Sequence, residues 1–160
     1  MQEELNNILV SVIIPAYNAE KFIETTIQSV LNQTIQKFEI IVVNDGSTDN
    51  TAKIIETLKE KDKRIHLINK ENSGVSDTRN IGMRTAKGKY IALLDADDVW
   101  LKDNLEKKIN YLENNPGIDF IYSDMLLADE NLENQTQAPK GKGINILENI
   151  LSWNGEVIPG

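Results

Sequence analysis

Three carboxylates stand almost side by side in Asp95-Ala96-Asp97-Asp98, directly after the apolar run Tyr90–Leu94. Carboxylates that close repel one another, and their pKa values rise unless something compensates. A divalent cation is the simplest compensation, and oxygen-only ligands point to Mg²⁺ or Mn²⁺ rather than Zn²⁺. Mg²⁺ takes one or two carboxylates and fills its shell with substrate phosphates and water, so Asp-x-Asp at a strand end suggests a metal–diphosphate site. The plainer reading is that these residues end a strand and cap the next helix. A second cluster, Asp45-Gly46-Ser47-Thr48-Asp49, also has two readings. Gly46 allows a positive φ and Ser47 or Thr48 caps a helix, or Asp45 accepts a ligand's ring N–H or hydroxyl. Tyr17, two residues after Pro15, either packs an edge or lies against a base. Arg79 is either solvated and paired with a nearby acid, or faces the acidic cleft and contacts base or phosphate.

These residues converge only if the elements between them form a parallel sheet. Ile8–Ile14, Glu39–Val43, Ile65–Ile68 and Tyr90–Leu94 are largely apolar. The second and fourth lack alternation, which suits strands covered on both faces. Helical stripes lie between them: Ile23, Ile27, Val30 and Leu31; then Ile54, Ile55 and Leu58; then Val75 to Lys87, with Gly88 as a stop. Leu101, Leu105, Ile109 and Leu112 form a further stripe, ended near Asn115-Pro116-Gly117. Gly82 in mid-helix implies close packing on the sheet. Asp119–Leu127 reads as another strand, 129–142 as a loop and 144–151 as a short amphipathic helix. The order predicts a Rossmann-like three-layer α/β/α sandwich with a mostly parallel central sheet. Such sheets bind ligands at the carboxyl ends of their strands. Those ends carry Pro15-Ala16-Tyr17-Asn18, Asn44-Asp45-Gly46-Ser47, Asn69-Lys70-Glu71-Asn72 and Asp95-Ala96-Asp97-Asp98. The expected site holds several carboxylates, one ring and few nearby cations.

Composition narrows the chemistry. The 160 residues read as a single domain with a net charge of -8, unsuited to a nucleic-acid backbone. There are no cysteines and one histidine, which removes thiol nucleophiles and Cys-based zinc sites and leaves almost nothing for Ser–His chemistry. His66 reads as structural, and Trp100 as packing for the helix after Asp98. No signal peptide or membrane span is legible, so the expected location is the cytoplasm.

Taken together the blocks resemble the family 2 glycosyltransferases, which have the GT-A fold. The match runs through Val12-Ile13-Ile14-Pro15-Ala16-Tyr17-Asn18, Ser29–Thr34, Glu39–Asp49, Asn72-Ser73-Gly74, Arg79-Asn80-Ile81-Gly82 and Asp95-Ala96-Asp97-Asp98, in that order. It implies an inverting transfer from a nucleotide-diphosphate sugar, a UDP-sugar first, to a glycan or lipid-linked acceptor. By position, Pro15, Ala16 and Tyr17 would line the base pocket and Asp45 would accept from the base. Arg79 would contact base or nearby nucleotide, Asp95 the ribose or sugar, and Asp97 would hold Mn²⁺ or Mg²⁺. Glu20, Ser76, Ala96 and Asp98 complete the cleft implied by the resemblance.

In the family the catalytic base follows a segment resembling Val157-Ile158-Pro159-Gly160, where this chain stops. The expectation is therefore a donor-binding portion, truncated before the acceptor and base region, with Asp124 the only late acid in a suggestive place. The implied enzyme works at the inner membrane face, attached through regions outside this chain, and self-association is a further expectation. Two rivals are a nucleotidyltransferase and a non-catalytic nucleotide- or carbohydrate-binding scaffold. Against the first, no Gly-rich basic phosphate loop, Walker A pattern or G-x-G-x-x-G is present.

Overall fold

The computed structural model describes residues 8–129, 132, 133 and 135–137. They fall into two units, one running to Asp119 and one from Phe120 on. In the first unit strands and helices alternate: β1 (Val10–Ala16), α1 (Ile23–Leu31), β2 (Phe38–Asp45), α2 (Thr51–Lys61), β3 (Ile65–Lys70), α3 (Val75–Thr85), β4 (Tyr90–Leu93) and α4 (Asn104–Asn114). The four strands make one parallel sheet in the order β3-β2-β1-β4. All four therefore end at the same edge. No helix of the described residues is long and apolar enough to cross a membrane.

The continuous apolar runs have the expected cause. β1 and β2 lie at the sheet centre and are buried at every position. Val10, Val12, Ile14, Ile40 and Val42 face the layer made by α1, α2 and α4. Ile13, Ile41 and Val43 face α3 through Ile81 and Met83. Each fully buried Ile or Val stabilises the fold by about 1.5–3 kcal/mol relative to exposure. Gly82 sits where a Cβ would come within 2.3 Å of Ile13 Cγ2, so the helix packs on the sheet as closely as the sequence implied.

Several boundaries differ from the sequence expectation. β2 and β3 run on into polar residues, because Asn44 and Asp45 still pair in register with Asn69 and Lys70, and β1 spans Val10–Ala16 rather than Ile8–Ile14. α2 begins at Thr51, and neither Ser47 nor Thr48 caps it. The 18–20 segment takes over that end instead: Asn50 N donates to Glu20 Oε2 at 2.9 Å, and Ala19 N donates to Thr51 Oγ1 at 2.8 Å. α3 stops at Thr85, three residues before Gly88. Gly88 instead marks a close approach, where a Cβ would lie 2.6 Å from Ser11 N. Leu105 and Ile109 of the last stripe are buried, but Leu101 precedes α4 and is 67% exposed.

The second unit holds a small antiparallel pair, β5 (Leu126–Leu127) with β6 (Thr136–Gln137). The strand expected over Asp119–Leu127 shrinks to two residues, since only those find ladder partners. β6 falls within the segment expected to be loop. The expected helix at 144–151 and the 157–160 segment lie outside the described residues.

Candidate active site

The carboxyl edge of the sheet carries a cleft of about 220 Å³ lined by Pro15, Ala16, Tyr17, Asp45, Asn72, Gly74, Val75 and Thr78. β1 delivers the first three at its end, and β2 delivers Asp45. Tyr17 is 54% exposed, so its ring is a free wall rather than core packing. Gly46 turns the chain after Asp45 with φ +72° and leaves room for Asn72, whose backbone N would be 2.9 Å from a Cβ there. Asn72 Nδ2 donates to the Asp45 carbonyl at 3.0 Å. The loop before α3 is thus tied to the end of β2. Asn72 and Gly74 belong to the strand-end loop and matched blocks legible in the sequence, while Val75 and Thr78 join the cleft through the first turn of α3.

Two cations reach carboxylates of this edge, and Arg79 pairs with an acid as one of its two readings had it. Lys70 Nζ lies 2.6 Å from Asp45 Oδ1, and Arg79 Nη2 lies 2.5 Å from Asp95 Oδ1. Lys70 belongs to the strand-end set Asn69-Lys70-Glu71-Asn72, and its partner follows from the in-register pairing of Lys70 with Asp45. Burial alone would raise the Asp45 carboxyl, but the Lys70 ammonium and the Ser73 and Gly74 amides outweigh it, and its pKa lies below the usual value. Asp98 goes the other way. Burial, then the charges of Asp97 and Asp95, push its carboxyl up. Arg79 Nε is buried with no partner among the described residues.

The other expected residues spread over distinct tasks. Ala96 is buried, and its carbonyl accepts from Thr26 Oγ1 at 2.8 Å. Ser76 is exposed in the first turn of α3. The Glu20 carboxylate is engaged by the Asn50 N and Nδ2 groups at the start of α2. Asp97 is exposed and has no ion pair or hydrogen bond among the described residues. Asp124 is exposed in the second unit, outside any strand. His66 is half exposed, with Nε2 3.6 Å from Glu39 Oε2, and Trp100 packs against the larger core.

The defining pattern of glycosyl transferase family 2 matches residues 11–149. The chain belongs to that family. A Bacillus subtilis protein assigned as a teichuronic acid biosynthesis glycosyltransferase, TuaG, is 47% identical over 105 residues, which are 65% of this chain and 42% of that one. The crystal structure of S. aureus TarS 1-349 in complex with UDP-GlcNAc matches with a TM-score of 0.63 at 32% identity, over 67% of this chain and 32% of that one. The mannosyltransferase PcManGT from Pyrobaculum calidifontis, in complex with GDP-Man and Mn²⁺, matches with a TM-score of 0.61 at 29% identity, over 64% and 32%. The family 2 chain spans between 21% and 42% of the length of the first curated relatives it matches.

A divalent cation is testable against the donor set of this family 2 chain. Among the described residues no group of three or more His, Asp or Glu side chains is arranged to hold an ion by itself. Asp97 nevertheless offers exposed carboxylate oxygens without a hydrogen-bond partner among the described residues, beside an Asp98 carboxyl pushed up by burial and then by like charge. Hard oxygen donors with an incomplete protein shell fit Mg²⁺ or Mn²⁺, which complete their coordination with phosphate and water. They do not fit Zn²⁺.

Proposed function

We propose that this chain is the donor-binding portion of an inverting glycosyltransferase that takes a nucleotide-diphosphate sugar, a UDP-sugar first, and delivers the sugar to a glycan or lipid-linked acceptor. The observation that carries the reading is the cleft between Tyr17 and Asp45, opening at the same sheet edge as Asp95 and Asp97. In this reading Pro15, Ala16 and Tyr17 flank the base, and ionised Asp45 accepts a base N–H. Asp95, oriented by Arg79, takes the ribose or sugar hydroxyls. The unsatisfied Arg79 Nε belongs to a guanidinium whose hydrogen bonding is completed by the nucleotide.

Asp97, with Asp98 beside it, would hold Mn²⁺ or Mg²⁺. When bound, the cation supplies positive charge against the departing diphosphate. The acceptor hydroxyl attacks the anomeric carbon from the face opposite the leaving group, which inverts that centre. A carboxylate within hydrogen-bond reach, directly or through one water, takes the hydroxyl proton. The relatives are longer than this chain, and the proposal assigns that carboxylate to the remainder. Product analysis of the whole protein with UDP-GlcNAc tests the reaction class. Release of UDP with a glycosylated acceptor is the expected result, and release of GlcNAc 1-phosphate would overturn it in favour of nucleotidyl transfer.

A further inference from the structure

Lys70 is nearly enclosed, with 13% of its side chain exposed, and its partner Asp45 has 5%. An ammonium has three N–H donors. Here they meet three acceptors: Asp45 Oδ1 at 2.6 Å, the Glu71 carbonyl at 2.6 Å and Ser73 Oγ. Ser73 Oγ passes the interaction on, donating to Asp77 Oδ2 at 2.5 Å in the first turn of α3. Lys70 therefore has no donor left for a ligand. Whatever it does at the cleft it does through Asp45.

A carboxylate offers about four acceptor positions. On Asp45, Oδ1 receives Lys70 Nζ and the Ser73 amide at 2.9 Å, while Oδ2 receives the Gly74 amide at 3.0 Å. Three of the positions are filled by the protein, and both positions of Oδ1 are among them. What remains is one position on Oδ2. Nucleobases differ in what they bring to such a group. Uracil presents a single imide N–H between two carbonyls. Guanine presents a ring N–H and an amino N–H side by side, a two-pronged donor that uses both oxygens of a carboxylate when both are open, in the manner of any bidentate pair.

Resting on the donor-site reading above, we propose that Lys70 is a positioning and specificity-determining residue: by occupying Asp45 Oδ1 it leaves one acceptor position, which suits a base with a single N–H and denies guanine its second contact. This accounts for a cation at a site that would otherwise need none for an incoming N–H donor.

The test is calorimetric binding of UDP and of GDP to the full chain with Mn²⁺ present, compared with Lys70→Met and Lys70→Arg. The unmodified chain is expected to prefer UDP. Lys70→Met frees an Oδ1 position and narrows that preference about tenfold, the scale of one hydrogen bond to a charged group. Lys70→Arg, which still donates to Oδ1, keeps it. A merely structural role would weaken both nucleotides equally, so an unchanged UDP-to-GDP ratio in folded Lys70→Met overturns the proposal, as does a preference for GDP in the unmodified chain. A crystal structure of the unmodified chain with UDP decides the matter should Lys70→Met not fold. The base N–H on Asp45 Oδ2, with Lys70 still on Oδ1, is expected; Lys70 displaced from Asp45 overturns the proposal. Failure of the unmodified chain to bind either nucleotide is a different result, which sinks the donor-site reading itself.

Discussion

Asp45 and Asp98 are two carboxylates at one sheet edge with opposite fates. Asp45 is more deeply buried, yet it is held ionised, because burial is outweighed by Lys70 and two backbone amides. Its contribution to stability is present above the ordinary carboxylate pKa of 3.8 and is lost only as pH falls through the lower folded value. Asp98 has a raised folded pKa, from burial and then from Asp97 and Asp95. Its ionisation works against the folded state, so the stability linked to it is present at low pH and lost as pH rises through the folded value. Asp98→Asn should therefore raise the thermal midpoint at pH 7.5, by an amount worth no more than about 0.5 kcal/mol at such an exposed position. The gain should shrink as the pH approaches 4. Thermal unfolding of both proteins at the two pH values checks this, and a lowered midpoint at pH 7.5 would contradict it. The acidic run was legible in the sequence as a locus of repulsion. Arg79 was legible as a partner for a nearby acid or a ligand, but which acid it meets was not, nor was the Lys70–Asp45 pair, because both depend on the strand register and the α3 packing.

The elements hold these residues by close contacts over one face of the sheet and at the edge opposite the cleft. Gly82 was readable as a packing glycine because a glycine in mid-helix lacks a local reason. A methyl group there would meet the β-branched Ile13, which cannot swing away. Gly82→Ala should thus destabilise the chain by about 1–3 kcal/mol through overpacking, despite a helix-propensity gain of about 1 kcal/mol. Denaturant unfolding measures the balance, and a stabilised variant would show that α3 sits further from β1. At the opposite edge, buried Glu39 accepts from Ser11 Oγ at 2.6 Å and from Lys87 N at 2.8 Å, and Gly88 N donates to Ser11 Oγ at 2.8 Å. Glu39→Ala leaves the Ser11 hydroxyl without its acceptor and Lys87 N with only its longer contact to Ser11 Oγ at 3.1 Å, and should cost about 1–3 kcal/mol in the same measurement. An effect below about 0.5 kcal/mol would mean that the turn into β4 does not depend on it. The element order and types follow from periodicity. The Glu20 contact at the start of α2 does not, because Glu20 is 30 residues away from Asn50 in the chain, whereas Asp49 Oδ1, which accepts from Thr51 N at 3.0 Å, is local. The shortness of β5 also escaped, since an apolar run shows strand propensity but not how far a ladder partner extends.

For the molecule as a whole, parallel alternation of strand and helix brings four separate polar loops to one edge. That convergence was legible because continuous apolar runs require a sheet covered on both faces, and a parallel sheet has only one carboxyl edge. The chain carries a net charge of -8, and a nucleoside diphosphate is itself an anion. Simple attraction would therefore not carry the proposed nucleotide binding; the proposed cation between Asp97 and the phosphates would. Calorimetric titration of UDP into the full chain, with Mn²⁺ and then with EDTA, alongside Asp97→Ala, tests that claim most directly. The account predicts saturable binding with Mn²⁺, weakened at least about tenfold by EDTA and by the substitution alike. UDP binding of equal strength in EDTA and in Asp97→Ala would contradict it.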